Sequence, residues 1–217
     1  MKLHIGCGQT ILPDYINIDN SPSLRLVNVP QFALNGLRKL RLLNEDQLTF
    51  IKFLKGHKQH LRFANCMELP FEDNSVDVCY SAHMIGWCLS HQQLLSFFHE
   101  LKRVLKPGGV LRLSFFDFDQ LVNDYLQHKS TIAFSRHLPL GTTDFTFREK
   151  FKFLLSPNMH NGLVLNRETI VQLLDEVGFC SITLLRAGET TMKPELVGSL
   201  DLCQRSDSSV YVECYKA

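Results

Sequence analysis

Several things are missing from this 217-residue chain, and each absence excludes something. No stretch approaches the ~18–20 consecutive apolar residues of a membrane-spanning helix, so no membrane span is expected. The seven cysteines, at 7, 66, 79, 88, 180, 203 and 214, include no C-x-x-C pair, and their number is odd. That argues against a disulfide framework and for free thiols in a reducing compartment. A first strand that begins at residue 2 leaves no room for a secretory leader, so a cytoplasmic location is expected. Charge of one sign is not in excess: 23 Lys and Arg face 22 Asp and Glu, for a net of +1. No global field therefore points to nucleic acid or to an acidic membrane. One local exception is 36–62, where seven Lys or Arg meet only Glu45 and Asp46. It reads as the solvated face of a helix or as a site for an anionic substrate or partner. His57 and His60 have no third ligand nearby, so no metal is expected. No internal repeat or low-complexity tract occurs.

Apolar residues make up 45% of the chain, enough for one sizeable core, and one domain is expected over 1–217. Lys2-Leu3-His4-Ile5 reads as a short buried strand. Gly6-Cys7-Gly8 follows, and Tyr15-Ile16-Asn17-Ile18-Asp19 reads as a second strand ending in a carboxylate. Glycines let a ligand lie against the main chain, and a strand-terminal acid can accept both hydroxyls of a ribose. Residues 9–14 are too few for a helical crossover, so a loop or a single helical turn must join these strands. Residues 23–60 suggest two amphipathic helices recapped at Asn44-Glu45-Asp46, forming an insert that is either a lid or a core-packing unit.

Leu61-Arg62-Phe63-Ala64 and Val76-Asp77-Val78-Cys79-Tyr80-Ser81 read as strands. Leu94, Leu95, Phe97, Phe98, Leu101, Val104 and Leu105 make one helical stripe over 92–105. Lys106-Pro107-Gly108-Gly109 is expected to stop that helix in a turn, before a strand over 110–115. A helix over 117–127, a long irregular loop over 129–165 and a helix capped by Asn166 and closed by Gly178 follow. Two strands, 180–186 and 209–215, finish the chain with no helix between them. Strands separated by helices argue for an open α/β sheet with an antiparallel edge at the C-terminus.

Four runs resemble the class I S-adenosylmethionine-dependent methyltransferases. They are Leu3-His4-Ile5-Gly6-Cys7-Gly8, Asn17-Ile18-Asp19, Leu69-Pro70-Phe71-Glu72-Asp73-Asn74-Ser75-Val76-Asp77 and Leu101-Lys102-Arg103-Val104-Leu105-Lys106-Pro107-Gly108-Gly109-Val110-Leu111. The last two are the specific ones. A bacterial-type, methyltransferase type 11-like subgroup is similar along nearly the whole chain, through Ser81-Ala82-His83-Met84, Asp117, His160 and Ser209-Val210-Tyr211-Val212-Glu213.

The resemblance implies a Rossmann-like seven-stranded sheet, mostly parallel, with an antiparallel C-terminal strand and helices on both faces. It implies S-adenosylmethionine as cofactor and a methyl transfer to a small-molecule or saccharide nucleophile. Gly6 and Gly8 would meet the methionine and ribose part, with Cys7 between them, and Asp19 the ribose hydroxyls. Asn65 and Cys66 would meet the adenine, and Ser81 and His83 would end the fourth strand beside the sulfonium. His4 stands where many members carry an acid for the cofactor's amino group. Thr10 replaces a third glycine, and Gly86-Trp87 replace a Glu-His pair.

If the acceptor needs a base, His83 and His160 are the candidates, each weighed against a plain structural histidine. Asp117 either orients that base or caps the next helix. Cys7 fits the turn better than it fits a nucleophile. The Asn/Asp-Pro-Pro-Tyr/Phe signature of amino-group DNA methylation is absent, which argues against nucleic-acid bases as substrate. Two rival functions stay open. One is a fold that binds S-adenosylmethionine without turnover, given Gly86-Trp87. The other is a nicotinamide-dependent oxidoreductase, which wants a small residue where Ile11 stands and an acid later than Asp19.

Overall fold

The computed structural model describes residues 1–85, 89–131, 163–203 and 209–217. Seven strands form one sheet: β1 (Lys2–Ile5), β2 (Ile16–Asp19), β3 (Leu61–Phe63), β4 (Val76–Ala82), β5 (Leu105–Phe116), β6 (Phe179–Leu185) and β7 (Ser209–Lys216). Their spatial order is β3-β2-β1-β4-β5-β7-β6. The pairs from β3 to β5 are parallel, and β7 runs antiparallel to both of its neighbours. This is the expected sheet, and β7 sits inside it rather than at its edge.

Between the strands lie α1 (Pro22–Arg25), α2 (Gln31–Lys39), α3 (Glu45–Gly56), α4 (His91–Val104), α5 (Phe118–His128), α6 (Arg167–Val177) and the single turn α7 (Pro194–Val197). The helix ends follow local chemistry. Asn44 and Ser90 each accept from the N3 amide while Gln47 and Gln93 reach back, two complete capping boxes. Asn166 caps α6, and Gly178 ends it at φ +84°.

The first face of the sheet is apolar. Leu3, Ile5, Ile18, Cys79, Leu111, Leu113, Phe115, Val210, Val212 and Cys214 share one buried cluster with Phe97, Phe98 and Leu101 of α4 and Ile170 and Leu174 of α6. Full burial of each such large side chain stabilises the fold by about 1.5–3 kcal/mol relative to leaving it in water. The stripe on α4 was legible because its period is that of a helix.

The second face is polar in its middle. Asn17, His4, Tyr80, Arg112 and Glu213 are register partners across β2, β1, β4, β5 and β7, so five buried polar side chains form one row across the sheet. Right-handed crossovers put α3 on this face, opposite α4, because β1 to β3 and β4 to β5 progress in opposite directions. Beneath β1, β4 and β5 the cover is mostly irregular chain: Leu12 and Tyr15 from the short β1–β2 link, and Met192, Leu196, Val197 and Leu200 from the β6–β7 connection. Asn17 holds that link in place of a helix. Its Oδ1 accepts from the Leu12 amide at 3.0 Å, and its Nδ2 donates to the carbonyls of Leu12, Tyr15 and His60.

Two expectations are corrected. Lys106-Pro107-Gly108-Gly109 does not form a separate stop turn. β5 starts at Leu105, which pairs with Val76, and the run is drawn into the strand with a register shift opposite Val76 and Val78. Gly108 takes φ +73°, and a Cβ on Gly109 would lie 2.8 Å from the Lys106 carbonyl, so this irregular strand needs both glycines. The final two strands are not joined by loop alone, because Pro194 starts the turn α7.

The insert expected over 23–60 contains α1 to α3. Leu34, Leu48 and Ile51 give it a small core of its own, backed by Leu26, Val29, Leu37 and Leu43. Of the loop expected over 129–165, residues 132–162 lie outside the described residues. So do Gly86, Trp87 and His160.

Candidate functional site

Strand order reverses between β1 and β4, and open α/β sheets take ligands at such a point, beyond the carboxyl ends of the strands. A cavity of about 310 Å³ lies there, lined by His4, Gly6, Cys7, Gly8, Gln9, Thr10, Ala82 and His83. Its rim is the main chain after β1. The amides of Gly6 and Cys7 both donate to the Ile18 carbonyl, at 2.9 and 3.1 Å, and the Thr10 amide donates back to the Cys7 carbonyl at 2.8 Å. Gly8 takes φ +52° with open space where a Cβ would stand. Gly6 is different: at φ +69°, its missing Cβ is what admits Met84, whose Sδ would lie 2.5 Å from that atom.

Asp19 ends β2 beside this rim. Its Oδ2 accepts from the Gly8 amide at 3.0 Å and its Oδ1 from the Ser21 amide at 2.6 Å. Each oxygen keeps a further lone pair, so the carboxylate is aimed by the loop and can still accept hydroxyls. His4 is buried in the opposite wall. Its Nδ1 lies 3.2 Å from Asn17 Oδ1, and its ring stacks on Tyr80 at 4.9 Å between centroids. Asn17 spends its NH2 on three carbonyls, so its oxygen faces the His4 ring. Burial pulls the His4 pKa down to about 4, against the pull of Asn17, Asp19 and a hydrogen bond to the Thr10 backbone. At neutral pH this wall therefore carries no positive charge. Burial pushes the Cys7 thiol up to about 12, with the Asp19 charge adding to the effect, so the thiol stays protonated at neutral pH.

His83 lines the cavity at φ +53°. Its amide donates to the Ser114 carbonyl at 2.7 Å, its Nε2 lies 3.1 Å from Ser209 Oγ, its Nδ1 is buried, and Phe116 packs edge-on at 4.6 Å. These contacts are those of a bolt between the ends of β4 and β7. Asp117 does not line the cavity. One oxygen caps α5 through the Asp119 amide at 3.1 Å, and the other accepts from Arg167 Nε at 3.0 Å. Ser81 is buried inside β4. Asn65 turns its Oδ1 onto the Met67 amide at 3.2 Å, and neither it nor Cys66 lines the 310 Å³ cavity.

Gln9, Thr10 and Ala82 also line the cavity, and Asn17 orders it; Asn17 and Ala82 lie within the resembling runs and Thr10 at the place of a third glycine, but no role at the site was expected of them. A polar residue amid the apolar alternation of β2 was the available signal for Asn17.

A family model for the methyltransferase domain matches residues 3–113. The chain belongs to the methyltransferase-domain family. The match spans the Gly6–Thr10 rim, Asp19 and the β4–β5 run, and the resemblance to class I S-adenosylmethionine-dependent methyltransferases is borne out. A malonyl-[acyl-carrier protein] O-methyltransferase of Marinomonas sp. (strain MWYL1) is 41% identical over 63 residues, 29% of this chain and 22% of that protein. One of the same name from Erwinia billingiae (strain Eb661) is 30% identical over 119 residues, 45% of this chain and 46% of that protein. The chain thus spans less than half the length of these curated relatives. In structure, a SAM-dependent methyltransferase of Thermotoga maritima, a possible histamine N-methyltransferase, superposes with a TM-score of 0.53 at 14% identity, over 100% of this chain and 82% of that one. At that identity the likeness concerns the fold.

The site of this methyltransferase-domain chain fits S-adenosylmethionine on three counts: a rim of bare main chain, a carboxylate with acceptor capacity to spare beside it, and an uncharged His4 that does not repel a sulfonium cation.

Proposed function

We propose that this chain transfers a methyl group from S-adenosylmethionine to a small-molecule or saccharide nucleophile. The observation that carries the reading is the open main-chain rim at Gly8, bonded to the Asp19 carboxylate, at the reversal point of the sheet. Bound there, the cofactor supplies an electrophilic methyl group on a sulfonium. The work of the protein is then to position and to exclude water. Gly8 gives main-chain access, Asp19 accepts the ribose hydroxyls, and Gly6, lacking a Cβ, leaves room for Met84 to pack against the rim. His83 forms the wall toward β7. Asn65 and Cys66 remain the proposed adenine contacts from the strand-end position after β3. In this arrangement His83, its Nε2 beside Ser209, favours a wall over a proton acceptor, so the acceptor must arrive as a competent nucleophile or bring its base from elsewhere in the chain.

Thermal unfolding with S-adenosylmethionine, its demethylated product and NAD tests the reading. A ligand that binds only the folded state raises the midpoint by mass action. Stabilisation by the two sulfur ligands and not by NAD is expected, together with transfer of a labelled methyl group to an acceptor in cell extract. No shift with either sulfur ligand overturns the assignment. A shift without transfer to any acceptor makes the chain a binding protein of the same fold. The names of the two curated relatives favour a second acceptor, the carboxyl of a malonyl group on an acyl carrier, and labelled transfer to that substrate separates it from a saccharide.

A further inference from the structure

Charge is unevenly distributed over this molecule. Residues 25–63 hold eight Lys or Arg (25, 38, 39, 41, 52, 55, 58 and 62) against Glu45 and Asp46, a net of +6 that leaves −5 on the rest of a chain totalling +1. Among the described residues outside this segment, five Lys or Arg side chains are in ion pairs, while Lys102 and Lys216 donate to uncharged oxygens. Lys2 pairs with Asp14, Arg103 with Glu100 and Asp73, Lys106 with Asp77, Arg112 with Glu213 and Arg167 with Asp117. Among the described residues, the insert contributes one ion pair, Arg38 with Glu45. Lys55 and Lys58 donate instead to uncharged oxygens, the Val29 carbonyl and Asn28 Oδ1, each at 2.6 Å. With Gly56 and Gln59 they line a surface hollow of about 440 Å³.

The same segment exposes apolar side chains. α2 buries Leu34 and turns Phe32 outward, 79% exposed. Leu40, 62% exposed, lies just past the end of α2, and Leu42 and Phe63 are also exposed. A solvated helix face accounts for the lysines and arginines but not for bare Phe32 and Leu40. A nucleic acid uses the cations and has no use for Leu40 and Leu42. An anionic bilayer surface uses both: its headgroup phosphates attract the cations, and its interfacial layer takes the Phe and Leu side chains. No helix among the described residues is long and apolar enough to cross a membrane, so such an association is peripheral.

We propose that residues 25–63 form a docking surface for an anionic lipid bilayer. The insert leaves the carboxyl edge of the sheet directly after Asp19, so docking holds the bilayer on a segment continuous with the cofactor rim. The inference stands apart from the identity of the methyl acceptor.

Co-sedimentation of the full chain with vesicles tests it, using phosphatidylcholine alone and phosphatidylcholine with one part in about three of phosphatidylglycerol. Binding at least about tenfold tighter to the anionic vesicles is expected, since several cations contribute together. The double variant Phe32→Ser/Leu40→Ser and the double variant Lys39→Glu/Arg41→Glu should each lose that binding. Both should keep the wild-type unfolding midpoint, because these side chains face solvent. Equal binding to neutral and anionic vesicles, or none to either, overturns the proposal. So does a Phe32→Ser/Leu40→Ser protein that binds like the wild type, the outcome expected if the cations serve a nucleic acid; retention of single-stranded RNA in a gel would then identify that partner.

Discussion

Arg112 and Glu213 form an ion pair in which neither side chain is accessible to solvent, between residues 101 positions apart that are direct register partners on β5 and β7. Glu213 also accepts from the Thr190 and Thr191 hydroxyls and the Thr191 amide, and Arg112 donates to the Glu189 and Leu202 carbonyls. The pair thereby ties the β6–β7 connection onto the second face of the sheet. Arg112→Met or Glu213→Leu alone leaves a buried charge without its partner, and each should cost about 3–5 kcal/mol in urea unfolding. The double variant should recover most of that loss. Single variants with less than about 1 kcal/mol effect would show that the connection is held by its apolar contacts.

Gly6 and Gly8 both take positive φ but meet different surroundings, so alanine should separate them. Gly8→Ala adds backbone strain of about 1–2 kcal/mol in open space. Gly6→Ala adds similar strain and also drives a methyl group into Met84, a further ~1–3 kcal/mol of overpacking. Replacing Met84 by Ala in the Gly6→Ala background should remove part of the second cost only. Equal losses in the two single variants, measured by thermal unfolding, would contradict the packing around Gly6.

Asp19→Ala removes the acceptor of the Gly8 and Ser21 amides. The fold should survive with a loss of about 1.5–3 kcal/mol, while S-adenosylmethionine affinity falls about 10–100-fold in calorimetry. Unchanged affinity in a folded Asp19→Ala protein would move the ribose away from this carboxylate.

Acid should act on the fold through His4. Unfolded, this imidazole takes its proton near the ordinary 6.5; folded, burial lowers that to about 4. Between those values the unfolded state binds more protons, so the contribution is fully present above pH 6.5 and is lost as the pH falls toward 4. The full loss is on the order of 3 kcal/mol. His4→Asn should flatten the stability profile between pH 6.5 and 4. A wild-type profile with no slope there would show that His4 is not buried as neutral imidazole.

Much of this molecule was legible because its signals are local. The α4 stripe has a helical period, Asn166 and Gly178 bracket α6, and Asp117 is followed at once by the helix it caps. The six-residue β1–β2 link excluded a helix on length alone. Cys7, between two glycines, was expected to fit the turn, and its side chain is buried there. The Lys106–Gly109 run misled because the end of a helix and an irregular start to a strand use the same residues; pairing of Leu105 with Val76 decided between them.

By itself, then, the sequence determined the order of the strands, the helices α4 to α6, the caps at Asn44 and Asn166, the glycine rim and the acid at the end of β2, since each depends on residues a few positions apart. Tertiary structure alone decided the rest. It buried His4 and so made that wall neutral, gave Gly6 to Met84 and Gly8 to the cavity, turned His83 toward Ser209, and joined Arg112 to Glu213. Those outcomes depend on which strands become neighbours and on how much water each side chain loses, quantities set only when distant segments share one sheet.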